Sequence, residues 1–274
     1  MKRTIKILCL SIIVCTGCAH RPTDEERAQA FIDSAQTLYT DGRLEAAKLQ
    51  LDSVHQKFPK LITYRRQADT LAWNIELCET TRNLAYADSL LPQKTAEAEI
   101  LKKPFLFEKN EKFQQYGTYT YKLLRTEWNL ARSYLKPYTD ETGQMYITAH
   151  YCGKPIDYDR IRLSVGNIFA ESEPAASNDK NTFTDLGITH ETVLFAPDML
   201  GTLPDFWASR QDEKVKASFV GKRTYSYTLT KDELQAFTAT YRLATTLSDI
   251  ARLKDLRQRS IVRQRILNQK LAKE

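Results

Sequence analysis

The last 45 residues of the chain, from Thr230 to Glu274, contain neither glycine nor proline. Apolar side chains recur there at steps of three and four, in the series Phe237, Tyr241, Ala244, Leu247 and Ile250. Thr230 followed by Glu233 three residues later is a capping-box pattern, which predicts that a helix begins at this point. At the usual helical rise this segment would be about 67 Å long, which exceeds a compact domain of this size.

A helix of this length needs a partner along its apolar seam, and residues 62–101 form a second long segment with helical spacing. Its seam runs Ala68, Leu71, Ile75 and Cys78, after which Arg82 interrupts it and Pro92 is a candidate break. We therefore expect residues 230–274 to pack along residues 62–101 as an antiparallel coiled coil that forms a stalk.

Between these helices the apolar period changes from about 3.6 to 2, which is typical of strands. The segments "MYITAHY" (145–151) and "RIRLSVG" (160–166) alternate in this way, and "ARSYLKPY" (131–138) is the expected partner strand. Thr142-Gly143 predicts the turn before the first of them. The fold class predicted is α+β, in which a mainly antiparallel β-domain at residues 103–229 is inserted between the long helices.

Four further segments of this region have recognisable patterns. Residues 214–230 predict a hairpin about Gly221-Lys222, and "TVLFAP" (192–197) predicts a short strand. Residues 197–209 predict a short helix or an irregular turn, and the polar segment 171–181 has the composition of an exposed loop.

The first 17 residues, "MKRTIKILCLSIIVCTG", combine a positive front end with a short apolar run from Ile7 to Val14. The run is too short to span a bilayer, which needs roughly 20 apolar residues. This arrangement is typical of an export signal. The alternative, a buried first helix, is disfavoured because the charged run "HRPTDEERAQ" follows at once.

The ending Cys15-Thr16-Gly17-Cys18 resembles the lipobox of bacterial lipoproteins, although that family usually has Leu at the position of Cys15. The resemblance implies that the Cys18 thiol receives a diacylglyceryl group and that residues 1–17 are removed. Acyl chains such as palmitate would then anchor the protein by burying methylene groups, each worth about 0.8 kcal/mol. Ala19 stands where the inner-membrane retention signal of this family has Asp, which implies an outer-membrane location. Whether the protein faces the periplasm or the outside is not implied.

Residues 28–59 predict two helices joined at Gly42, because glycine tolerates a positive φ, and Pro59 closes the second helix. The positions that match the signature spacing of a tetratricopeptide repeat are Phe31, Ala35, Leu38, Gly42, Leu44, Ala47, Leu51, Val54 and Pro59. The segment therefore resembles one such repeat, in which Ala35 and Ala47 let the helices approach closely. A solenoid needs about three repeats, so this hairpin must bury its apolar side elsewhere on the chain.

These observations divide the chain into five segments: a signal peptide (1–17), a lipidated tether (18–26), a helical region (27–102), the β-domain (103–229) and the long C-terminal helix (230–274). Removing Lys2, Arg3 and Lys6 with the signal reduces the formal charge from +6 to +3. The remaining chain has no concentrated basic face, which argues against a nucleic-acid partner.

Cys78 and Cys152 are then the only unmodified cysteines, and we expect two unpaired, partly buried thiols rather than a disulfide.

Candidate catalytic residues are few. His150 and Cys152 are two apart in a predicted strand and share a face, so a thiol hydrolase is one interpretation. The preferred interpretation is a strand end that carries polar residues without a catalytic role. A local Cys/His pair found in one enzyme family does not identify catalytic residues in another. The four histidines show no spacing typical of zinc sites, and no glycine-rich phosphate loop is present, so the sequence predicts neither a metal nor a cofactor.

Tyrosine is enriched in the β-region, and exposed aromatic faces bind sugar rings or peptide chains. Tyrosine also favours strands intrinsically, so a core role is the preferred interpretation for most of these residues. The pairs that share a strand face and are the candidates for a ligand platform are Tyr119 with Tyr121 and Tyr225 with Tyr227.

The sequence therefore favours a non-enzymatic lipoprotein that is fixed to the membrane through Cys18 and contacts other proteins of the cell envelope. The second hypothesis is a surface protein whose tyrosine-rich β-domain binds a glycan or a peptide. The third and weakest is an envelope thiol hydrolase that uses Cys152.

Overall fold

The computed structural model describes residues 21–273, so Cys18 and the predicted signal peptide lie outside the described residues. The fold is α+β, as the sequence predicts, with long helices near both ends and two antiparallel sheets between them. The helices are α1 (Asp24–Thr40), α2 (Leu44–Lys57), α3 (Ile62–Leu101), α4 (Thr126–Asn129), α5 (Leu203–Ala208) and α6 (Lys231–Leu271). Among residues 21–273, no helix has both the length and the apolar character needed to cross a membrane.

The described chain forms two compact units, residues 21–81 with 263–273, and residues 82–262. In the first unit α1 and α2 form the predicted hairpin, and Gly42 makes the turn with a φ of 76°. Ala35 and Ala47 are completely buried, and with Leu51 and Ile75 they belong to one apolar cluster, so the hairpin packs on α3. Within this unit Arg263 of α6 makes two hydrogen bonds of 2.6 Å to the Glu76 carboxylate on α3.

The second unit contains ten strands, all of them between residues 105 and 228. They are β1 (Phe105–Glu108), β2 (Thr118–Tyr121), β3 (Tyr134–Asp140), β4 (Met145–Gly153), β5 (Tyr158–Val165), β6 (Ile168–Glu171), β7 (Lys180–Asp185), β8 (Ile188–Phe195), β9 (Lys216–Gly221) and β10 (Tyr225–Thr228). A six-stranded sheet has the order β1-β2-β3-β4-β8-β7, and a four-stranded sheet has the order β10-β9-β5-β6. Every pairing is antiparallel.

The main core of this unit lies between the two sheets. Ile147 of β4 and Phe195 of β8 come from the six-stranded sheet, and Ile161 of β5 and Phe219 of β9 come from the four-stranded one. All four are at most 1% exposed. We call the side of the six-stranded sheet that carries Ile147 its inner face, and the opposite side its outer face.

Helices α3 and α6 run antiparallel within the second unit, as the apolar seams predict. Arg257 pairs with Asp88, and Asp249 pairs with Lys94 at 3.2 Å, so the order of contacts is opposite along the two helices. Pro92 lies inside α3 without ending it. The buried stripe that follows is Ala98 on α3 with Leu243, Leu247 and Ile250 on α6.

The exposed loop predicted for residues 171–181 is present between β6, which ends at Glu171, and β7, which begins at Lys180. The loop is not exposed throughout, however. Ser172 and Ala175 within the segment are buried. The Ser172 side chain accepts a hydrogen bond from the Ile161 amide at 3.1 Å, so part of this polar segment closes the end of the core.

Candidate functional site

The outer face of the six-stranded sheet is the candidate site. Strand alternation places on it every second residue of β3, β4 and β8, starting from the cross-strand pair Tyr138 and Tyr146. The next pair on this face is Lys136 with Thr148, and further along β4 His150 lies opposite Thr192. Most of these side chains are only partly buried, in contrast with the closed core on the inner face.

Tyr138 and Tyr146 stack on each other across the β3–β4 hairpin. Their ring centroids are 5.1 Å apart and the planes differ by 9°. Burial, with a smaller effect of Tyr146, raises the pKa of Tyr138 to about 12. Burial and the nearby Asp140 carboxylate also raise the pKa of Tyr146, so both phenols stay protonated at neutral pH. The pair therefore offers flat apolar faces, while the Tyr146 hydroxyl donates a hydrogen bond of 3.4 Å to the Asp140 carboxylate.

Lys136 and helix α4 form one rim of this surface. The Lys136 ammonium donates a hydrogen bond of 3.0 Å to the Thr126 hydroxyl on α4. Burial lowers the pKa of Lys136, while the charges of Glu108 and Glu127 act in the opposite direction. Two residues after Thr126, Trp128 is 66% exposed, so a large aromatic side chain stands in solvent at this rim.

Two of the four tyrosines predicted as a ligand platform, Tyr119 and Tyr121, lie on the inner face of the six-stranded sheet. Tyr119 packs against Phe107 with ring centroids 4.9 Å apart, and Tyr121 packs against Phe105 at 5.5 Å. The two tyrosines share a strand face, as expected, and both are half-buried. Their ring contacts make them part of the packing beside α6.

The other predicted pair lies in the four-stranded sheet. Tyr225 packs against Tyr151 at 5.2 Å, and Tyr225 is 37% exposed. The Tyr227 hydroxyl donates to the Glu233 carboxylate, and burial with that negative charge raises the pKa of Tyr227 well above its usual value. The two predicted pairs therefore lie in different sheets, and neither is the stacked pair on the outer face.

Tyr138 and Tyr146 are not among the tyrosines that the sequence analysis selects as a ligand platform. The sequence nevertheless contains the information that they face each other. The segments 131–138 and 145–151 predict adjacent strands, and the Thr142-Gly143 turn joins them. Antiparallel pairing through that turn puts Tyr138 opposite Tyr146.

His150 and Cys152 do share a face, but the histidine has other partners. Its Nδ1 lies 2.9 Å from the Thr192 hydroxyl, and its Nε2 lies 3.2 Å from the Leu130 carbonyl oxygen. His190, which lies opposite Cys152 in the sheet, places its Nδ1 3.4 Å from the same Nε2. Both ring nitrogens of His150 are thus engaged in holding the sheet and the Leu130 segment together.

The same arrangement predicts pH-dependent stability. Burial lowers the pKa of His150 below its ordinary value of about 6.5, although the hydrogen bond with the Leu130 carbonyl acts in the opposite direction. The neighbouring His190 and Lys136 have smaller effects, which also lower this pKa. The unfolded chain then binds a proton at a higher pH than the folded chain does. We expect the free energy of unfolding to decrease as the pH falls below about 6.5, with a contribution of at most about 1.4 kcal/mol per pH unit.

Urea unfolding of the wild type and of His150→Gln between pH 5 and 8 measures this effect. The variant keeps an amide group to face the Leu130 carbonyl and cannot take up the proton. The wild type should lose more stability than the variant over this range. Equal pH slopes for the two proteins would show that His150 does not carry the effect.

Within residues 21–273 there is no group of three or more His, Cys, Asp or Glu side chains that could hold a metal ion. Cys78 and Cys152 are both free and half-buried.

No protein-family model, curated protein or solved structure matches this chain.

Proposed function

We propose that this chain is a non-enzymatic protein-interaction component of the bacterial cell envelope, anchored in the outer membrane by acyl groups on Cys18. The observation that carries the interaction role is the outer face of the six-stranded sheet with its stacked Tyr138–Tyr146 pair. The exposed Trp128 lies on α4, the helix that Lys136 of this face contacts. Tyrosine and tryptophan are the residues enriched at the energetically dominant positions of protein interfaces.

The chemistry of the outer face supports binding rather than catalysis. The thiol-hydrolase hypothesis needs a histidine that can take the proton of Cys152. Both ring nitrogens of His150 are instead within hydrogen-bonding distance of Thr192 and Leu130. The helical hairpin α1–α2 resembles a repeat used for protein contacts, and this resemblance supports the same proposal.

The anchor is tested by growing cells with labelled palmitate. The wild type should carry the label and co-sediment with outer membranes. Cys18→Ser should lose both the label and the membrane association, whereas Cys152→Ser should keep both. An unlabelled wild-type protein that retains residues 1–17 would contradict the anchor.

The interaction surface is tested by placing the photoreactive residue p-benzoylphenylalanine at position 128 in the full chain. Position 259, where the Arg259 side chain is 79% exposed on α6, is the matched control. We expect one cross-linked envelope protein from position 128 and not from position 259. Tyr146→Ala in the same chain should reduce that product at least tenfold. The same products from both positions, or no effect of Tyr146→Ala, would contradict a specific surface.

The second candidate is the binding of a glycan on the outer face. The parallel rings of Tyr138 and Tyr146 favour it, because flat aromatic faces pack against sugar rings. A glycan array probed with the wild type and with Tyr146→Ala separates the two candidates. Binding of one sugar class that is lost in the variant supports the glycan, and silence across the array removes it.

A further inference from the structure

A second surface of the 82–262 unit has a different chemistry from the outer face. It is a groove between the C-terminal end of α3, Tyr121 on β2 and the first three turns of α6, and its volume is about 580 Å³. We call it the α3–α6 groove. Its volume falls within the roughly 300–1,000 Å³ of small-molecule sites, so a small ligand fits in it.

The groove has an aliphatic wall, and the polar side chains Gln211, Gln235 and Thr238 also line it. Ile100 and Leu101 line it from α3, and Leu234 and Ala239 line it from α6. Ile100 is 64% exposed, so an isoleucine side chain stands at the groove without a covering group. An apolar chain laid along this wall would remove that surface from water, at roughly 25 cal/mol per Å² buried.

The charges at the groove all have one sign. Lys231 and Arg242 line it, and no Asp or Glu does. They are eleven residues apart on α6, which is three helical turns, so the two cations lie on the same side of the helix about 16 Å apart. Among the described residues, neither takes part in an ion pair or a side-chain hydrogen bond. The groove therefore combines an apolar wall with an unpaired cation at each end of its α6 side.

We propose that the α3–α6 groove binds a single-chain anionic amphiphile of the fatty-acid type. The acyl chain lies along Ile100, Leu101 and Leu234, and the carboxylate pairs with Arg242 or Lys231. An ammonium amphiphile of equal length has the same apolar chain but the wrong charge. A short carboxylate has the right charge but cannot reach the apolar wall. The site is separate from the outer face and does not depend on the function proposed for it.

The probe is a photoreactive dodecanoate that carries a diazirine in its chain. It is added to the full-length protein in vesicles of neutral phosphatidylcholine, and the labelled peptides are mapped by mass spectrometry. We expect labelling of the peptides that contain Ile100 and Leu234. An excess of unlabelled dodecanoate should suppress it at least fivefold, whereas butyrate and dodecyltrimethylammonium should not.

Variants give an independent arm. Ile100→Glu puts a negative charge into the groove at an exposed position and should reduce the labelling at least tenfold. Ile168→Glu, at a 55% exposed site on β6, is the matched control and should leave it unchanged. Circular dichroism checks that both variants fold. Equal labelling by a cationic diazirine probe, or undiminished labelling in both Ile100→Glu and Arg242→Glu, would overturn the proposal.

Discussion

Glu233→Ala is expected to lower the free energy of unfolding of the 82–262 unit by about 4 kcal/mol. The Glu233 side chain is completely buried and accepts hydrogen bonds from two separate parts of the chain. Its Oε1 accepts from the Leu135 amide at 3.0 Å and from the Tyr227 hydroxyl. Its Oε2 accepts from the amide and the hydroxyl of Thr230, at 3.0 and 2.7 Å.

Alanine at position 233 would leave these donors without an acceptor, and each unsatisfied buried donor costs about 1–3 kcal/mol. The Arg132 guanidinium, 3.4 Å from Oε2, would also lose its counter-charge. Glu233→Gln keeps the shape of the side chain but turns a donor toward other donors, so we expect an intermediate loss of about 2 kcal/mol.

Urea unfolding followed by tryptophan fluorescence measures these losses, and hydrogen exchange at the Leu135 amide reports the local effect. Glu213→Gln is the matched control, because Glu213 makes only an exposed pair with Arg210 three residues away. Its effect should stay within about 0.5 kcal/mol. A Glu233→Ala protein as stable as the control would show that the carboxylate does not hold the sheets to α6.

The Glu233 network shows what the sequence reveals and what it hides. The capping box is local, and its two residues predict the start of α6 correctly, because the Glu233 amide donates to the Thr230 hydroxyl at 3.3 Å. The contacts to Leu135 and Tyr227 join residues that are distant in the sequence or lie on another element. No periodicity encodes them, so a residue predicted as a simple cap is also a buried junction.

Some strands can be predicted from a local sequence pattern and others cannot. Strands β4 and β5 are predictable because one of their faces is buried, which produces a clear alternation. Strand β7 escapes prediction because it is an edge strand with nearly every residue exposed, so its sequence has no apolar period. Strands β1 and β2 are four residues long, which is too short for a period of two to stand out.

The candidate site could be predicted only in part. Residue composition correctly indicates that tyrosines crowd the β-region, and spacing correctly indicates which of them share a face. Alternation does not say which face the core covers when both faces carry aromatic side chains. Tyr119 and Tyr138 belong to adjacent strands, yet they lie on opposite faces of one sheet, because Tyr119 pairs with Thr139.

Gly143→Ala is expected to lower the free energy of unfolding by about 3 kcal/mol, through two separate costs. Gly143 has a φ of 86° in the β3–β4 turn, a conformation that costs a residue with a side chain about 1–2 kcal/mol. A Cβ atom there would also lie 2.3 Å from the Ala244 carbonyl oxygen and 2.3 Å from the Ser248 nitrogen, both in the backbone of α6. Neither atom can move without displacing the helix.

The turn cannot move away easily either. The buried Asp140 carboxylate accepts hydrogen bonds from the amides of Thr142 and Gln144, at 2.8 and 2.9 Å, and fixes the conformation of the turn. Gly166→Ala separates the two costs, because Gly166 also has a positive φ of 57°, but a methyl group added there would meet no atom within 4 Å. We expect Gly166→Ala to lower the free energy of unfolding by only about 1 kcal/mol, measured by urea unfolding. If the two alanine variants were equally stable, the close approach of the turn to α6 would contribute nothing, and the turn would be fixed by its own hydrogen bonds alone.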